Sequence, residues 1–491
     1  MRNIKLGALL SGLKNYKVLS GNMNVQIKGV AESAALLKKG EVFICVKGLS
    51  NDGHKYVGQA IKNGAAVIIV EQPVKANKEV TIIQVEDSKK VMQEITHKFY
   101  AQAKAKVRIY GITGTKGKTT VSYIVEALLK EKTGRDCAVI GTIGFKIGNK
   151  VYKADNTTPS NIKIHRLIAE AVQKGIKHII IEASSHALDQ ERLSHIDFDA
   201  TVMTNITRDH FDYHKNFKNY LNAKLKIVKV NLKQNGRLVV NTDSKGAAEF
   251  IKAGKAKKAK IVTYSWKNKT DMKLKFYDID IKGMDFELEA YGKKVIFHSS
   301  LVGEHNIYNI MAALGLVSGE VDFKTAIKVI NKFKTVKGRL EKAYSGKFTV
   351  LVDFAHTPDS IEKILQTLNK IKKTRIIILF GAGGDRDKGK RPLMGKIAAA
   401  LSDVVILTSD NPRTENPDDI IKEIMTGMKD KSNIVVKENR TTAIRYAVKI
   451  AKKDDIILLA GKGHEQYQVI GTKKIAFDDK AVALKAIKDL R

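Results

Sequence analysis

A chain of 491 residues with 43% hydrophobic side chains is long enough for several buried cores, and two to four domains are expected. Two cysteines, Cys45 and Cys137, exclude a disulfide framework and fit a reducing, cytoplasmic setting, and no apolar run reaches membrane-spanning length. A net charge of +36 is compatible with nucleic acid, an anionic surface or small polyanionic substrates, but the basic residues are spread along the whole chain and no basic or aromatic-interleaved groove marks a nucleic-acid binder.

The first residues, M-R-N-I-K-L-G-A-L-L-S-G-L-K, read as a short amphipathic helix. Gly7, Ser11 and Gly12 interrupt it and no small-residue cleavage site follows, so it does not read as a signal peptide. Residues 42–46 and 65–70 read as strands, with a loop and a helix between them and a helix over 91–103 after them. A small α/β domain over residues 1–105 is expected.

Residues 107–112 form a β-branched run, followed by a glycine-rich turn and a helix carrying Val121, Ile124, Val125, Leu128 and Leu129 on one face, with Gly134 as its stop. Strand, glycine turn and helix N-terminus make a phosphate cradle, because backbone N–H groups and the helix dipole both favour phosphate oxygens. Lys118 is then placed for the β/γ-phosphates and the Thr119 hydroxyl for Mg²⁺. The match to the standard phosphate loop is not strict, since Ile112 stands where that motif has glycine. A tight turn with surface lysines is the alternative.

Strands are expected over 179–182, 200–203 and 238–240, each followed by a polar loop. Their alternation with helices implies a mostly parallel sheet in a central domain of residues 106–337. Residues 272–297 alternate without a helical period and read as antiparallel hairpin strands. The dense basic stretch at 252–260 reads as a solvated surface. A third, Rossmann-like α/β domain over 338–491 has strands at 348–354, 375–380, 403–408 and 455–460. They lead into A-H-T-P-D, G-A-G-G-D-R-D, S-D-N-P-R and G-K-G-H-E, and the C-terminal ends of parallel strands face one crevice, where ligands bind.

Glu182 and His210 each follow a strand of the central domain, and a nucleotide-bound Mg²⁺ needs one or two hard protein ligands. Glu182 fits well, whereas His210 reads equally as a loop histidine paired with Asp209 or Asp212. Ser184, Ser185 and His186 read either as a helix cap or as a binding cluster. By spacing alone Lys224 is a surface lysine. Asp385, Arg386 and Asp387, and likewise Asp410, Asn411 and Arg413, sit on loops after strands. Two such guanidinia suit a substrate carboxylate, with interloop salt bridges as the alternative, and Glu465 can take an ammonium. A site offering both signs suits an amino acid.

Together these stretches resemble the Mur ligase family over essentially the whole chain. G-I-T-G-T-K-G-K-T-T at 111–120 is similar to that family's own phosphate loop. The resemblance extends through D-N-T-T-P-S at 155–160, E-A-S-S-H-A-L at 182–188, T-N-I-T-R-D-H-F-D-Y-H at 204–214 and G-E-H-N-I-Y-N at 303–309. It continues through V-D-F-A-H-T-P-D at 352–359, G-G-D-R-D-K-G-K-R-P at 383–392, D-N-P-R at 410–413 and G-K-G-H-E at 461–465. It implies an ATP-dependent ligase of cell-wall precursor synthesis, acting on UDP-N-acetylmuramoyl-L-Ala-D-Glu. The first domain would hold the UDP part, the central one ATP and the last one the incoming amino acid, closing over the central domain during turnover.

By the same resemblance Ser33, Asn156, Thr157, Thr158, Ser184, Gln190 and Arg192 contact the UDP-muramoyl dipeptide. Gly114, Thr115, Lys116, Gly117, Lys118, Thr119 and Thr120 hold ATP phosphates, with Asn309 and Arg339 also at the nucleotide. Thr119, Glu182 and His210 are implied Mg²⁺ contacts, with Lys118, His210 and Lys224 as catalytic residues. Lys224 matches a lysine that the family carbamylates to N6-carboxylysine, able to hold a second Mg²⁺. Arg386, Asp410, Asn411, Pro412, Arg413, Gly461 and Glu465 are implied contacts of meso-diaminopimelate or a close analogue such as lanthionine. L-Lysine addition and a folylpolyglutamate synthase-like activity are the alternatives. A cytoplasmic monomer without nucleic acid or a membrane span is expected. Two positions depart from the family pattern: Ala34, where an arginine is usual in the first domain, which puts the uracil contact of Ser33 in question, and His305, where phenylalanine is usual.

Overall fold

The structure, a computed structural model, describes residues 3–48, 51–74, 79–154, 156–430 and 432–490. Met1 and Arg2 of the expected first helix, Leu49 and Ser50 of the loop after the first expected strand, and Asp155 of the D-N-T-T-P-S stretch lie outside the described residues. The fold is α/β throughout, in two compact units. One comprises the chain up to Lys118 with Thr133–Val240 and Ser244–Val262; the other comprises Thr119–Lys132, Asn241–Asp243 and Thr263 to the end.

The first unit contains a five-stranded sheet, most of a larger one and a two-stranded pair. The N-terminal one has five strands in the order Tyr16–Ser20, Thr81–Val85, Val67–Val70, Glu41–Ile44, Gly29–Ala31, parallel except for the first. The expected first helix is shorter than its apolar residues suggest. Ile4–Lys5 pairs as a strand with Gln26–Ile27, and only Leu6–Leu10 is helical, burying Leu6, Leu9 and Leu10. Ser11 closes that turn and Gly12 takes φ 78°, which ends the helix.

The other sheet runs Lys150–Tyr152, Phe145–Ile147, Ala138–Ile140, His178–Glu182, Arg108–Thr113, Phe198–Met203, Leu232–Asn241 within this unit. The last five of these are parallel, as the strand–helix alternation implies. Ile179, Ile180 and Ile181 are fully buried, so this central strand is covered on both faces and reads as one apolar run rather than an alternating one. Burying each such side chain contributes about 1.5–3 kcal/mol. Helix Asn161–Gln173 packs Ile164, Leu167 and Ile168 into the core beneath this sheet. The basic stretch falls on helix Ala247–Ala256 and the turn after it, with Lys252, Lys255 and Lys258 exposed as expected.

The second unit carries the antiparallel meander Met272–Ile279, Met284–Ala290, Lys293–Ser299, then helices His305–Leu316 and Phe323–Lys332. Its six-stranded sheet has the order Glu341–Ser345, Thr349–Asp353, Ile456–Ala460, Ile376–Phe380, Val404–Leu407, Ile434–Val436. Only Glu341–Ser345 is antiparallel. The four expected polar loops therefore leave the same edge of one sheet. Two apolar clusters cover its faces, and Arg440 is fully buried on one side with a two-pronged bond to Asp479 at 2.7 and 2.8 Å. Among the described residues no helix is long and apolar enough to cross a membrane.

Candidate active site

Strand Arg108–Thr113 ends in the glycine turn, and helix Lys118–Thr133 starts from it. Gly114 has φ 151°, and a Cβ there would stand 1.9 Å from Thr204 Oγ1 and 3.1 Å from the Asn205 carbonyl. Only glycine fits that approach. The loop T-N-I-T after strand Phe198–Met203 clamps the turn from outside. Thr115 N–H donates to the Asn205 carbonyl at 2.8 Å, Lys116 N–H to Asn205 Oδ1 at 3.0 Å, and Thr204 Oγ1 to the Lys116 carbonyl at 2.7 Å. Tyr220 Oη lies 3.0 Å from Thr115 Oγ1. Nothing in the spacing pointed to Thr204, Asn205 or Tyr220, because the contacts join residues about ninety to a hundred positions apart.

Lys118 Nζ donates to the Gly114 carbonyl at 2.8 Å and to that of Thr115 at 3.1 Å. Lys224 Nζ reaches the same Gly114 carbonyl at 2.8 Å. The reading of Lys224 as a surface lysine is therefore wrong: its side chain is 1% exposed. It lies on the inner face of helix Phe217–Lys229 with Tyr220 and Val228, and that i, i+4 spacing was the available signal. Burial, and then the charge of Lys118, hold its amine well below the ordinary lysine range.

Glu182, fully buried, ends its strand. Its carboxylate accepts from Thr142 N–H at 3.1 Å and from Thr142 Oγ1 at 2.9 Å, and Thr142 Oγ1 lies 3.1 Å from Thr157 Oγ1. His210 sits in the left-handed region at φ 54°, its ring 4.8 Å from that of His186, with Asp209 Oδ1 3.8 Å from Nδ1. Burial, against the opposing pull of Asp209, lowers its pKa, which favours the neutral imidazole that metal binding needs. Among the described residues no three His, Cys, Asp or Glu side chains gather to hold a metal. Such a sparse donor set, one buried carboxylate and one neutral imidazole, fits a Mg²⁺ that arrives on phosphate and keeps most of its waters.

Five of the seven residues expected at the muramoyl dipeptide, Thr157, Thr158, Ser184, Gln190 and Arg192, form one network in the same unit. Arg192 donates through Nη1 to the Thr158 carbonyl at 2.9 Å and through Nε to Gln190 Oε1 at 2.9 Å. Thr158 Oγ1 lies 3.2 Å from Ser184 Oγ and 2.6 Å from the Glu182 carbonyl. Ser184 is also the helix cap, accepting from Ala187 N–H at 3.2 Å, so capping and site membership coincide. Asn156 is exposed, and Ser33 precedes a short 3₁₀ turn that begins at the buried Ala34.

In the second unit, Arg339 Nη2 lies 3.5 Å from Thr119 Oγ1, and Asn309 is buried with its amide donating to Asn306 Oδ1 at 2.9 Å. His305, which stands where the family usually has phenylalanine, opens that helix and is exposed. The loops at the edge of the six-stranded sheet interlock: Gly384 N–H donates to the Asn411 carbonyl at 2.9 Å. Arg413 Nη1 donates to the Gly384 carbonyl at 2.6 Å, and Arg386 Nη1 to the Asp385 carbonyl at 3.0 Å. Among the described residues neither guanidinium meets a protein carboxylate, so the interloop salt bridges do not form. A methyl group on Gly383 would stand 3.0 Å from Arg413 Nη1 and 3.8 Å from Arg386 Cγ, so both side chains flank one glycine.

Carboxylates are instead taken up one layer below. Arg391, fully buried, grips Glu415 at 2.9 and 3.0 Å and Glu423 at 2.7 Å, and Glu415 accepts Asp385 N–H at 2.6 Å. This fixes the backbone under Arg386 and holds the Glu415 carboxyl at about 2, chiefly through its bonds to Arg391. Asn411 Nδ2 donates to Glu465 Oε2 at 3.0 Å, so Glu465 stands beside the D-N-P-R loop as expected. Two features escaped the sequence. Lys462 is fully buried among Asp410, Asn411 and Glu465, and the hairpin Tyr467–Ile470/Lys473–Ala476 bridges its first strand to Arg413.

Three family profiles match the chain in order: "Mur ligase family, catalytic domain" over residues 26–100, "Mur ligase middle domain" over 112–317 and "Mur ligase, glutamate ligase domain" over 338–463. The UDP-N-acetylmuramoyl-L-alanyl-D-glutamate–2,6-diaminopimelate ligase 1 of Clostridium acetobutylicum is 37% identical over 99% of this chain and 100% of its own. The ligase of the same description from Caldanaerobacter subterraneus subsp. tengcongensis is 39% identical over 98% of both. A solved structure of a ligase of that description is similar with a TM-score of 0.72 and 29% identity, over 100% of this chain and 99% of that one. The phosphate loop, the loops around it and the arginine-bearing edge of the last sheet all fall within the matched stretches, and the chain belongs to the Mur ligase family.

Proposed function

We propose that the protein is an ATP-dependent ligase joining an amine of meso-diaminopimelate to the D-Glu γ-carboxylate of UDP-N-acetylmuramoyl-L-Ala-D-Glu, in peptidoglycan precursor synthesis. The observation that carries the choice of amino acid is the pair Arg386 and Arg413. Both point their charge at one loop edge without a protein carboxylate, while Glu465 beside them offers the opposite sign. Diaminopimelate has a distal carboxylate and a distal ammonium; L-lysine has only the ammonium. Lanthionine presents the same distal group. Residues 1–105, 106–337 and 338–491 are read as the muramoyl-, ATP- and amino-acid-binding domains of a cytoplasmic monomer.

The reaction first moves the γ-phosphoryl group of ATP to a γ-carboxylate oxygen of the D-Glu residue, giving ADP and an acyl phosphate. The amine then attacks the acyl carbon, the C–O bond to phosphate breaks, and amide and inorganic phosphate form. Gly114 to Thr120 cradle the phosphates, and Lys118 offsets the charge gathering between carboxylate and γ-phosphate. Thr119, Glu182 and His210 would hold Mg²⁺, which screens the phosphate oxygens when bound. Thr158, Ser184, Gln190 and Arg192 orient the dipeptide end. The route is tested with substrate carrying ¹⁸O in the γ-carboxylate. One labelled oxygen is expected in the released phosphate; unlabelled phosphate contradicts an acyl phosphate.

Lys224 is read as the site of a carbamate. Burial lowers the pKa of its amine, which favours the neutral form that attack on CO₂ requires: the N–C bond forms, one proton leaves, and a carboxylate replaces the amine. A buried anion beside Lys118 would then be paired. Enzyme equilibrated with ¹³C-bicarbonate is expected to show a carbamate carbon resonance that Lys224→Arg lacks. A resonance unchanged in that variant, or none in the wild type, removes Lys224 from this role.

A further inference from the structure

We infer that Lys462 is a positioning residue for amino-acid binding, fixing Asn411 and Glu465 so that one carboxylate oxygen is presented to the substrate's distal ammonium. The inference rests on the ligase reading above.

Lys462 is fully buried, and its Nζ lies 2.9 Å from Asn411 Oδ1, 3.4 Å from Glu465 Oε2 and 3.6 Å from Asp410 Oδ1. The chain can turn it inward because Gly461 adopts φ 110°, where a Cβ would stand 2.4 Å from Asp410 Oδ2. Asn411 Oδ1 accepts a second bond from Val469 N–H at 2.9 Å, which ties the same amide to the hairpin. With two donors on Oδ1, the Asn411 amide has one orientation, and its Nδ2 must face Glu465 Oε2, at 3.0 Å. Both bonds that Glu465 receives thus fall on Oε2. Among the described residues Oε1 accepts none, and an ammonium is the donor that a partly exposed carboxylate oxygen at this edge would take. Lys462 also separates two carboxylates, Asp410 and Glu465, that would otherwise face each other uncompensated in a buried place. Its spacing could not reveal this, since it is one of 87 basic residues.

The test is steady-state kinetics of Lys462→Met and Lys462→Gln with meso-diaminopimelate and with L-lysine, and of each variant combined with Glu465→Gln. The glutamine variant keeps a donor for Asn411 and keeps the test available if the methionine variant does not fold. Expected is a rise of roughly tenfold or more in KM for diaminopimelate, with kcat and the KM for ATP changing far less. The double variants are expected to be little worse than Glu465→Gln alone, because Lys462 acts through Glu465. Equal effects on the KM values for ATP and diaminopimelate, or additive effects with Glu465→Gln, overturn the inference and leave Lys462 a support of the fold. A wild-type enzyme that turns over neither amino acid overturns the ligase reading itself, a different result from variants that match an active wild type.

Discussion

Lys118→Ala is expected to lower substrate-dependent phosphate release by about 10³-fold or more, while melting temperature and far-UV circular dichroism stay close to the wild type. Two lysine nitrogens converge on the Gly114 carbonyl at 2.8 Å each, and burial holds the amine of the second, on Lys224, well below the ordinary lysine range. Lys118, at the start of the helix, is the lysine read as following charge as it gathers on a transferring phosphoryl group. Its bonds to the Gly114 and Thr115 carbonyls also brace the turn. The outer clamp from Thr204 and Asn205 remains in the variant, so the loop is expected to keep its shape. Turnover within tenfold of the wild type would take Lys118 out of phosphoryl transfer and remove the main support for the phosphate-cradle reading.

Arg413→Ala is expected to raise the KM for diaminopimelate by about 10- to 100-fold, with the KM for ATP changed less than about twofold. A charged hydrogen bond to a carboxylate contributes about 1.5–3 kcal/mol, and the variant leaves the substrate carboxylate without that partner. The backbone at 413 already contributes two bonds to the hairpin, from its N–H to the Val469 carbonyl at 3.1 Å and from Gly471 N–H to its own carbonyl at 2.7 Å. Alanine keeps both, so the side chain is tested apart from the hairpin. Arg413→Lys is expected to recover only part of the loss, since a point charge cannot grip a carboxylate two-pronged. Equal rises in the KM for ATP and for diaminopimelate would make Arg413 a structural residue.

What could be read in advance follows from the range of the interactions involved. Alternation of apolar runs with helical periods is local, so the buried strands His178–Glu182, Thr349–Asp353 and Ile456–Ala460 and the polar loops after them were legible. So was the cap at Ser184. Short or exposed pieces were not: Lys150–Tyr152 and Lys473–Ala476 bury too little to leave a pattern, and Leu6–Leu10 is shorter than its apolar residues suggested. Long-range contacts left no mark either. Thr142 on Glu182, Asn205 on the phosphate loop and Lys462 under Asn411 join distant stretches through a few hydrogen bonds. Lys224 lies between the two cases. Its burial was readable from its i, i+4 place with Tyr220 and Val228, and the abundance of lysine hid it.

The most direct measurement is phosphate release from ATP and Mg²⁺ with UDP-N-acetylmuramoyl-L-Ala-D-Glu, run against meso-diaminopimelate, lanthionine, L-ornithine and L-lysine. Turnover with the two diamino dicarboxylates, and at least about a hundredfold less with lysine and ornithine, is the predicted result. Preference for lysine would contradict the role given to Arg386 and Arg413, and no turnover with any of the four would contradict the ligase assignment.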